Sequence, residues 1–411
     1  MKRIYIPDNL QERDVLEKDS FVSLVCAVSL MAVVSVIVLF GLTMLYSTSY
    51  EVAGSAFFKK QLVWAGVGLA AGGAIFMFGY RKVADWSIPL LGASVFLLMV
   101  ADFFCRAVNG AHRWIQIPHV GNLQPSELAK VAVALFLSKY CAENMRHINS
   151  FSPFRGFIPS GAACGMVLGL VFLGKDWGTT FLIAAVVGLI FYAAGLRLSI
   201  LVLPGASIVT AAFCWCKYMD PERWSRLTSF MNPELVRNDD GYQLWNSQLA
   251  LGSGGWFGLG FMESRLKAKY LPEAHTDFIL AIVGEELGYF FLILVITAYI
   301  VFVFLGVKIS VTSRSKLGML LGFAVTATVA MQAVINIGVV SGAFPTKGMP
   351  APFISYGGSN LLMCLICVGI LVSIALDTAS PGLNIELWED VKSQLRRVNP
   401  FARRDNRQRT S

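Results

Sequence analysis

Pro272-Glu273-Ala274-His275-Thr276-Asp277-Phe278 closes a long polar stretch and opens an apolar one that runs to Val307. An apolar run of that length exceeds the roughly 20 residues that cross a bilayer as helix. The seven residues therefore mark a border between water and lipid. A carboxylate and an imidazole stand on it. An acid there is costly to desolvate, so it reads as functional.

The rest of the chain fits that border. Of 411 residues, 55% are hydrophobic and 15% charged, and the mean hydropathy is +0.62. A soluble chain of this length carries far more charge. Ten apolar runs occur, at about 21–46, 61–79, 88–104, 126–141, 158–173, 179–195, 200–216, 278–307, 317–341 and 360–376. Backbone groups in lipid must be satisfied internally, and the alternating pattern of a barrel is absent, so the runs are predicted to be helices. The fold class is an all-α polytopic membrane protein with ten transmembrane helices.

The first run is too long for a signal core and follows twenty polar residues, so it is expected to stay in place. With both termini cytoplasmic, nineteen Lys and Arg fall on inner segments and six in the short outer loops. That bias is the one expected of cytoplasmic loops. The predicted organisation is a cytoplasmic N-terminal tail (1–20), a ten-helix membrane domain (21–376) and a basic cytoplasmic C-terminal tail (377–411). A large outer loop, 217–277, joins helices 7 and 8. In the tail, Ile385, Trp388, Val391, Leu395 and Val398 are spaced as an amphipathic surface helix, and seven basic residues suit anionic membrane lipids. No aromatic–basic platform accompanies the charge, so nucleic acid is not expected as a partner.

The eight cysteines lie mostly in apolar runs, and Cys364-x-x-Cys367 reads as helix packing rather than zinc or redox chemistry. Gly252-Ser253-Gly254-Gly255-Trp256-Phe257-Gly258-Leu259-Gly260 lacks the strand and the Lys of a phosphate-binding loop; a tight turn or re-entrant bend fits better. No nucleotide motif and no Ser-His-Asp set appears.

Three outer loops carry the polar and Gly-rich residues: 105–125, 217–277 and 342–359. Arg113 and Trp114 lie in the first. It leads into Gln124-Pro125-Ser126-Glu127-Leu128-Ala129-Lys130, where Pro suits a helix start and Glu127 and Lys130 share a face. That pair is either a structural ion pair or a grip on an anionic headgroup. Asp176, in Lys175-Asp176-Trp177-Gly178-Thr179-Thr180, suits ligand positioning or structure. Asp277 is a helix cap, a general base or a ligand for a divalent cation. His275 orients it or is simply surface-polar. Glu285 and Glu286 need partners such as Arg or the backbone of neighbouring helices. Gln332 and Asn336 are spaced for interhelical hydrogen bonds. The loop 342–359 cannot be helical; it holds Lys347 and ends in Pro352-Phe353-Ile354-Ser355-Tyr356-Gly357-Gly358-Ser359.

Arg113-Trp114-Ile115, the stretches at 124–130 and 176–180, Leu271–Phe278, Glu285-Glu286-Leu287-Gly288 and Pro352–Ser359 together resemble the shape, elongation, division and sporulation (SEDS) family. The resemblance covers the chain from the first run to the tenth. Lys269–His275 and Pro345-Thr346-Lys347-Gly348 are more like its cell-division member than its elongation member. Asn360 and Ala351 depart from the usual Ser and Leu.

This resemblance implies a peptidoglycan glycosyltransferase that polymerises lipid II outside the bacterial inner membrane. It also implies a class B penicillin-binding protein and other divisome proteins as partners, and a place at the division septum. The family's essential acid falls on Asp277. Trp114 matches a Trp needed for activity, and Glu127 and Lys130 match a charged cavity pair. Arg113, Trp114, Glu127, Lys130, Asp176, His275, Lys347 and Ser355 are the expected substrate-binding residues. A divalent cation, Mg or Mn, is left open, with no metal ligands assigned. Two other readings stand beside the enzyme: a lipid II flippase, and a scaffold that recruits the penicillin-binding protein.

Overall fold

The computed structural model describes residues 10–380, except 106–112, 118–120, 153–154, 220–223, 226–227, 232, 240 and 268–269. The tail helix expected near 385–398 lies outside the described residues. Each of the ten apolar runs falls within a helix to within about two residues at its ends, the eighth with a break inside it. These are α1 (Leu10–Ala53), α2 (Ala56–Phe78), α4 (Ser87–Phe104), α5 (Pro125–Asn144), α6 (Phe157–Leu173), α7 (Trp177–Ala193), α8 (Leu198–Met219), α10 (Ile279–Thr312), α11 (Lys316–Ser341) and α12 (Gly358–Ala379). A short α3 (Tyr80–Asp85) follows the turn at Gly79, and α9 (Tyr242–Gly254) lies inside what the sequence presents as one long loop. Strands β1 (Ile115–Ile117) and β2 (Gly121–Leu123) pair antiparallel, with Ile115 opposite Leu123. Among the described residues, six helices are long and apolar enough to cross a membrane: the Asp19–Tyr50 part of α1, α2, α4, α10, α11 and α12.

Local chemistry explains the boundaries. Pro125 opens α5 in the first turn, where its missing N–H is no loss. Asp176 caps α7 and Ser315 caps α11, each side chain accepting an amide three residues on. α12 and α2 pack backbone to backbone: a Cβ on Gly369 would lie 2.6 Å from the Gly72 carbonyl oxygen, and one on Gly72 would lie 2.8 Å from that of Leu365. Small residues permit such approach where no water drives helices together.

Helix α10 is broken. Gly288 has φ 80° and ψ 179°, a conformation open to glycine. The freed backbone is satisfied by the turn after α9. Leu259 N–H donates to Glu285 O (2.9 Å), Gly260 N–H to Glu286 O (3.0 Å) and Tyr289 N–H to Gly255 O (2.9 Å). The glycine-rich stretch is thus a bend spliced into a helix break. Glu285 accepts from the Ser264 hydroxyl (2.5 Å) and the Arg265 amide (3.0 Å). Glu286 pairs with Lys267 (2.8 Å) and accepts from Ser47 of α1 (2.6 Å), all buried. Where arginine or the backbone of neighbouring helices is expected, the cation is a loop lysine, the backbone group is a loop amide, and the other two partners are serines, one of the loop and one of the first helix.

The start of the first apolar run and the end of the last meet at one end of the bundle. The Ser23 hydroxyl donates to Ala375 O (3.2 Å), and Arg314 to Ser20 (2.8 Å). There too the buried Tyr80 shares its hydroxyl with Ser315 (2.7 Å) and donates to Asp377 (3.1 Å), which also binds Arg81 (2.7 Å). The polar loops gather at the opposite end.

Candidate active site

Asp277 sits at that opposite end, just before α10. It does not cap the helix: the capping position is Phe278, and no side chain makes a capping bond there. The backbone around it is fixed instead. Asn336 of α11 donates to Asp277 O (2.8 Å) and Met349 O (2.6 Å), tying the acid to the 342–357 segment. Gly348 faces the carboxylate so closely that a Cβ there would lie 2.4 Å from Oδ2. Among the described residues, none donates a hydrogen bond to that carboxylate. Burial, then the nearby charges of Glu273 and Asp176, push its pKa up to about 7, against the pull of Arg113. A carboxyl held there ionises near neutral pH, which suits a general base.

Arg113 and Asp176 lie close enough to influence it. Arg113 donates to the backbone oxygens of Gly174 (3.4 Å) and Lys175, which fixes it on the α6–α7 turn. Asp176 is buried and accepts from Gln124 (3.0 Å), Ser126 (3.2 Å) and Thr179 N–H (3.4 Å). It pins the start of α5 to that of α7. Arg113, Ser126 and Asp176 share a small pocket with Asp102 of α4. Lys347 reaches over the Trp177 ring (5.9 Å) and packs against Gly178. Trp114 is half-buried ahead of β1. Asp277, Asp176, Arg113 and Lys347 thus gather around the start of α7 and the 342–357 segment.

The other expected site residues stand apart. Glu127 and Lys130 pair at 2.8 Å, both 3% exposed. Lys130 donates to Gln332 (2.7 Å), which binds Pro350 O (2.8 Å) and Asn360 (2.7 Å). This chain joins α5, α11 and α12 beneath the segment that faces Asp277, and in this arrangement it is sealed. His275 stacks on Phe57 (4.9 Å) and its carbonyl accepts from Tyr356 N–H (2.9 Å). Burial lowers its pKa, against the pull of Glu273, and the ring is turned to the aromatic frame of Phe57 and Tyr356. Ser355 is buried, and its hydroxyl accepts the Ala351 amide (2.8 Å) within its own turn. Both shape the frame.

Gly348, Gln124 and Ser126 were not singled out from the sequence as site residues. Gly348 adjoins Lys347, but only the fold shows that it faces an acid. Among the described residues no three His, Cys, Asp or Glu side chains gather to hold a metal ion.

A carboxyl with its pKa raised to about 7, Arg113 among the charges acting on it and Lys347 on the adjoining segment make the polar end of this apolar helical bundle a candidate site for an anionic substrate. A sequence profile described as "Cell cycle protein", of FtsW–RodA–SpoVE type, matches residues 22–380, and the chain belongs to that family. It is 36% identical over 344 residues to the probable peptidoglycan glycosyltransferase FtsW of Trichlorobacter lovleyi, covering 82% of this chain and 89% of that one. It is 34% identical to stage V sporulation protein E of Bacillus subtilis, over 82% of this chain and 93% of the relative.

Among solved structures, a chain from a peptidoglycan synthase complex described as coordinating polymerization and crosslinking superposes with a TM-score of 0.71. It has 23% identity, covering 86% of this chain and 98% of that one. The rod shape determining protein RodA of Thermus thermophilus gives 0.64 at 23%, over 85% and 96%. These two establish the fold.

Proposed function

We infer that this chain is a peptidoglycan glycosyltransferase of the cell-division type, polymerising lipid II into glycan strands. The observation that carries the mechanism is the Asp277 carboxylate: fixed by its backbone, without a hydrogen-bond donor among the described residues, and with the Arg113 guanidinium among the charges acting on it. The acceptor sugar's hydroxyl gives its proton to Asp277 as its oxygen attacks the anomeric carbon of the donor. The bond from that carbon to the lipid diphosphate breaks, and the diphosphate leaves with the electron pair. Arg113 and Lys347 stabilise its growing charge. One base and no covalent nucleophile fit a single displacement with inversion. General-base assistance of this kind contributes about 10²–10⁴-fold.

Ten transmembrane helices with both termini cytoplasmic place this end outside the membrane, with 217–277 as the large outer loop. The meeting of the start of the first apolar run with the end of the last at the far end of the bundle supports that arrangement. The bonded cluster of Tyr80, Ser315, Asp377 and Arg81 ties the helices together there, which favours surface chemistry over transport. A class B penicillin-binding protein supplies the crosslinking partner, and the division septum is the place of action.

The test supplies lipid II to the purified chain with its partner. Glycan polymer is expected, and none from Asp277→Ala. Headgroup transfer across liposomes without polymer would replace the enzyme with a flippase. Polymer from Asp277→Ala at the parental rate would remove the base.

A further inference from the structure

We propose that Glu273 is a positioning residue for the proton transfer: its strained turn and its side-chain charge together set the Asp277 carboxyl for its task. The inference rests on the reading of Asp277 as the base. Glu273 has φ 57°, which a side chain rarely adopts. The strain is offset by what its carbonyl oxygen gathers. The amides of Thr276 (3.1 Å), Asp277 (3.2 Å) and Phe278 (3.4 Å) all point to it, as does the Thr276 hydroxyl (3.1 Å). One oxygen therefore closes the whole turn that presents the acid. The same hydroxyl lies 2.9 Å from Glu273 Oε2, so the side chain is tethered over that turn. A strained residue kept where the structure over-determines it marks a functional segment.

The charge acts on the same target. The charged groups around Asp277 come from three elements besides its own loop. Asp176 stands at the start of α7 and Arg113 ahead of β1. Lys347 adjoins Gly348 and is turned to Trp177. On its own loop are Glu273 and His275, the latter stacked away on Phe57. Asp176 is spent on three hydrogen bonds that hold the scaffold. Glu273 is exposed, and among the described residues its carboxylate accepts a hydrogen bond only from Thr276. It is the acid that can be changed without dismantling helix starts.

The experiment compares rate–pH profiles of glycan polymerisation for the full chain with its partner, using lipid II. The variants are Glu273→Gln, which keeps an acceptor for Thr276 and loses the charge, and Thr276→Val, which frees the tether. For Glu273→Gln the acid limb is expected to move to lower pH. The ratio of rates at pH 5.5 and pH 8 rises about two- to fivefold, the reach of one exposed charge on a neighbour. High salt shrinks the difference. Thr276→Val is expected to lower the plateau rate while leaving the limb in place.

A limb unmoved in Glu273→Gln, with or without a lower plateau, overturns the proposal. So does a shift that ignores salt. A parent profile with no acid limb, or one that persists in residual Asp277→Asn activity, overturns the base assignment itself, and the two failures are thereby told apart.

Discussion

Replacing Asp277 by Asn is expected to cost activity and add stability, and the size of each follows from the site. The folded carboxyl titrates at about 7 against an ordinary 3.8, chiefly because burial disfavours its charge. Between those values the folded chain holds a proton that the unfolded chain has released. Stability therefore falls as pH rises through that window, and the whole loss is in place above about 7. At full strength the interval is worth about 4 kcal/mol. The residue keeps partial contact with water, and discounting for that leaves about 2 kcal/mol. Asn has the same shape and nothing to ionise. The variant should thus melt a few degrees above the parent at pH 8, with a smaller gap at pH 5. Its polymerisation rate should fall by about 10²–10⁴-fold. Thermal unfolding in lipid nanodiscs at both pH values, beside a lipid II polymerisation assay, reads both quantities. A gap that does not widen with pH would refute the burial argument, and a parental rate would refute the base.

Gly348→Ala should displace the carboxylate, since the new methyl would lie 2.4 Å from Oδ2. A rate loss of about 10²-fold with an unchanged melting temperature is expected from the polymerisation assay. Lys267→Met leaves Glu286 buried without its cation and should destabilise by about 3–5 kcal/mol; adding Glu286→Gln should recover much of that, read by thermal melts of both variants. Gly288→Ala places a Cβ at positive φ and 2.4 Å from Trp256 O, so lower yield of folded protein and faster proteolysis in the 255–267 segment are expected.

The helices were legible because hydrophobic run length is a one-dimensional property: each of the ten runs lies in a helix to within about two residues at its ends. What the runs could not show is where a helix bends. Gly288 sits in an apolar stretch that reads as continuous, and its break is decided by amides of the 255–260 turn. The α9 helix was hidden because its residues are mixed in polarity and follow neither a membrane run nor a strong amphipathic pattern. At the site, Asp277 was legible from its position on a polarity border. The pairing of Glu286 was not, because Lys267 and Ser47 lie 19 and 239 residues away. The polar Ser47-Thr48-Ser49 at the end of the first run was the one available hint. Asn336 was expected to bond between helices; that its partner would be the backbone of the acid itself depends on the fold of 342–357.

The splice at Gly288 also bears on biogenesis. Two adjacent acids in a nascent apolar helix are expensive to hand to lipid. Lys267 emerges only 19 residues ahead of Glu286, so a neutralising partner is already outside the ribosome when the acid arrives. Ser47 left 239 residues earlier, on the order of ten to fifty seconds at ordinary elongation rates. The Ser47 bond to Glu286 therefore forms only once the opening helix meets a run made long after it.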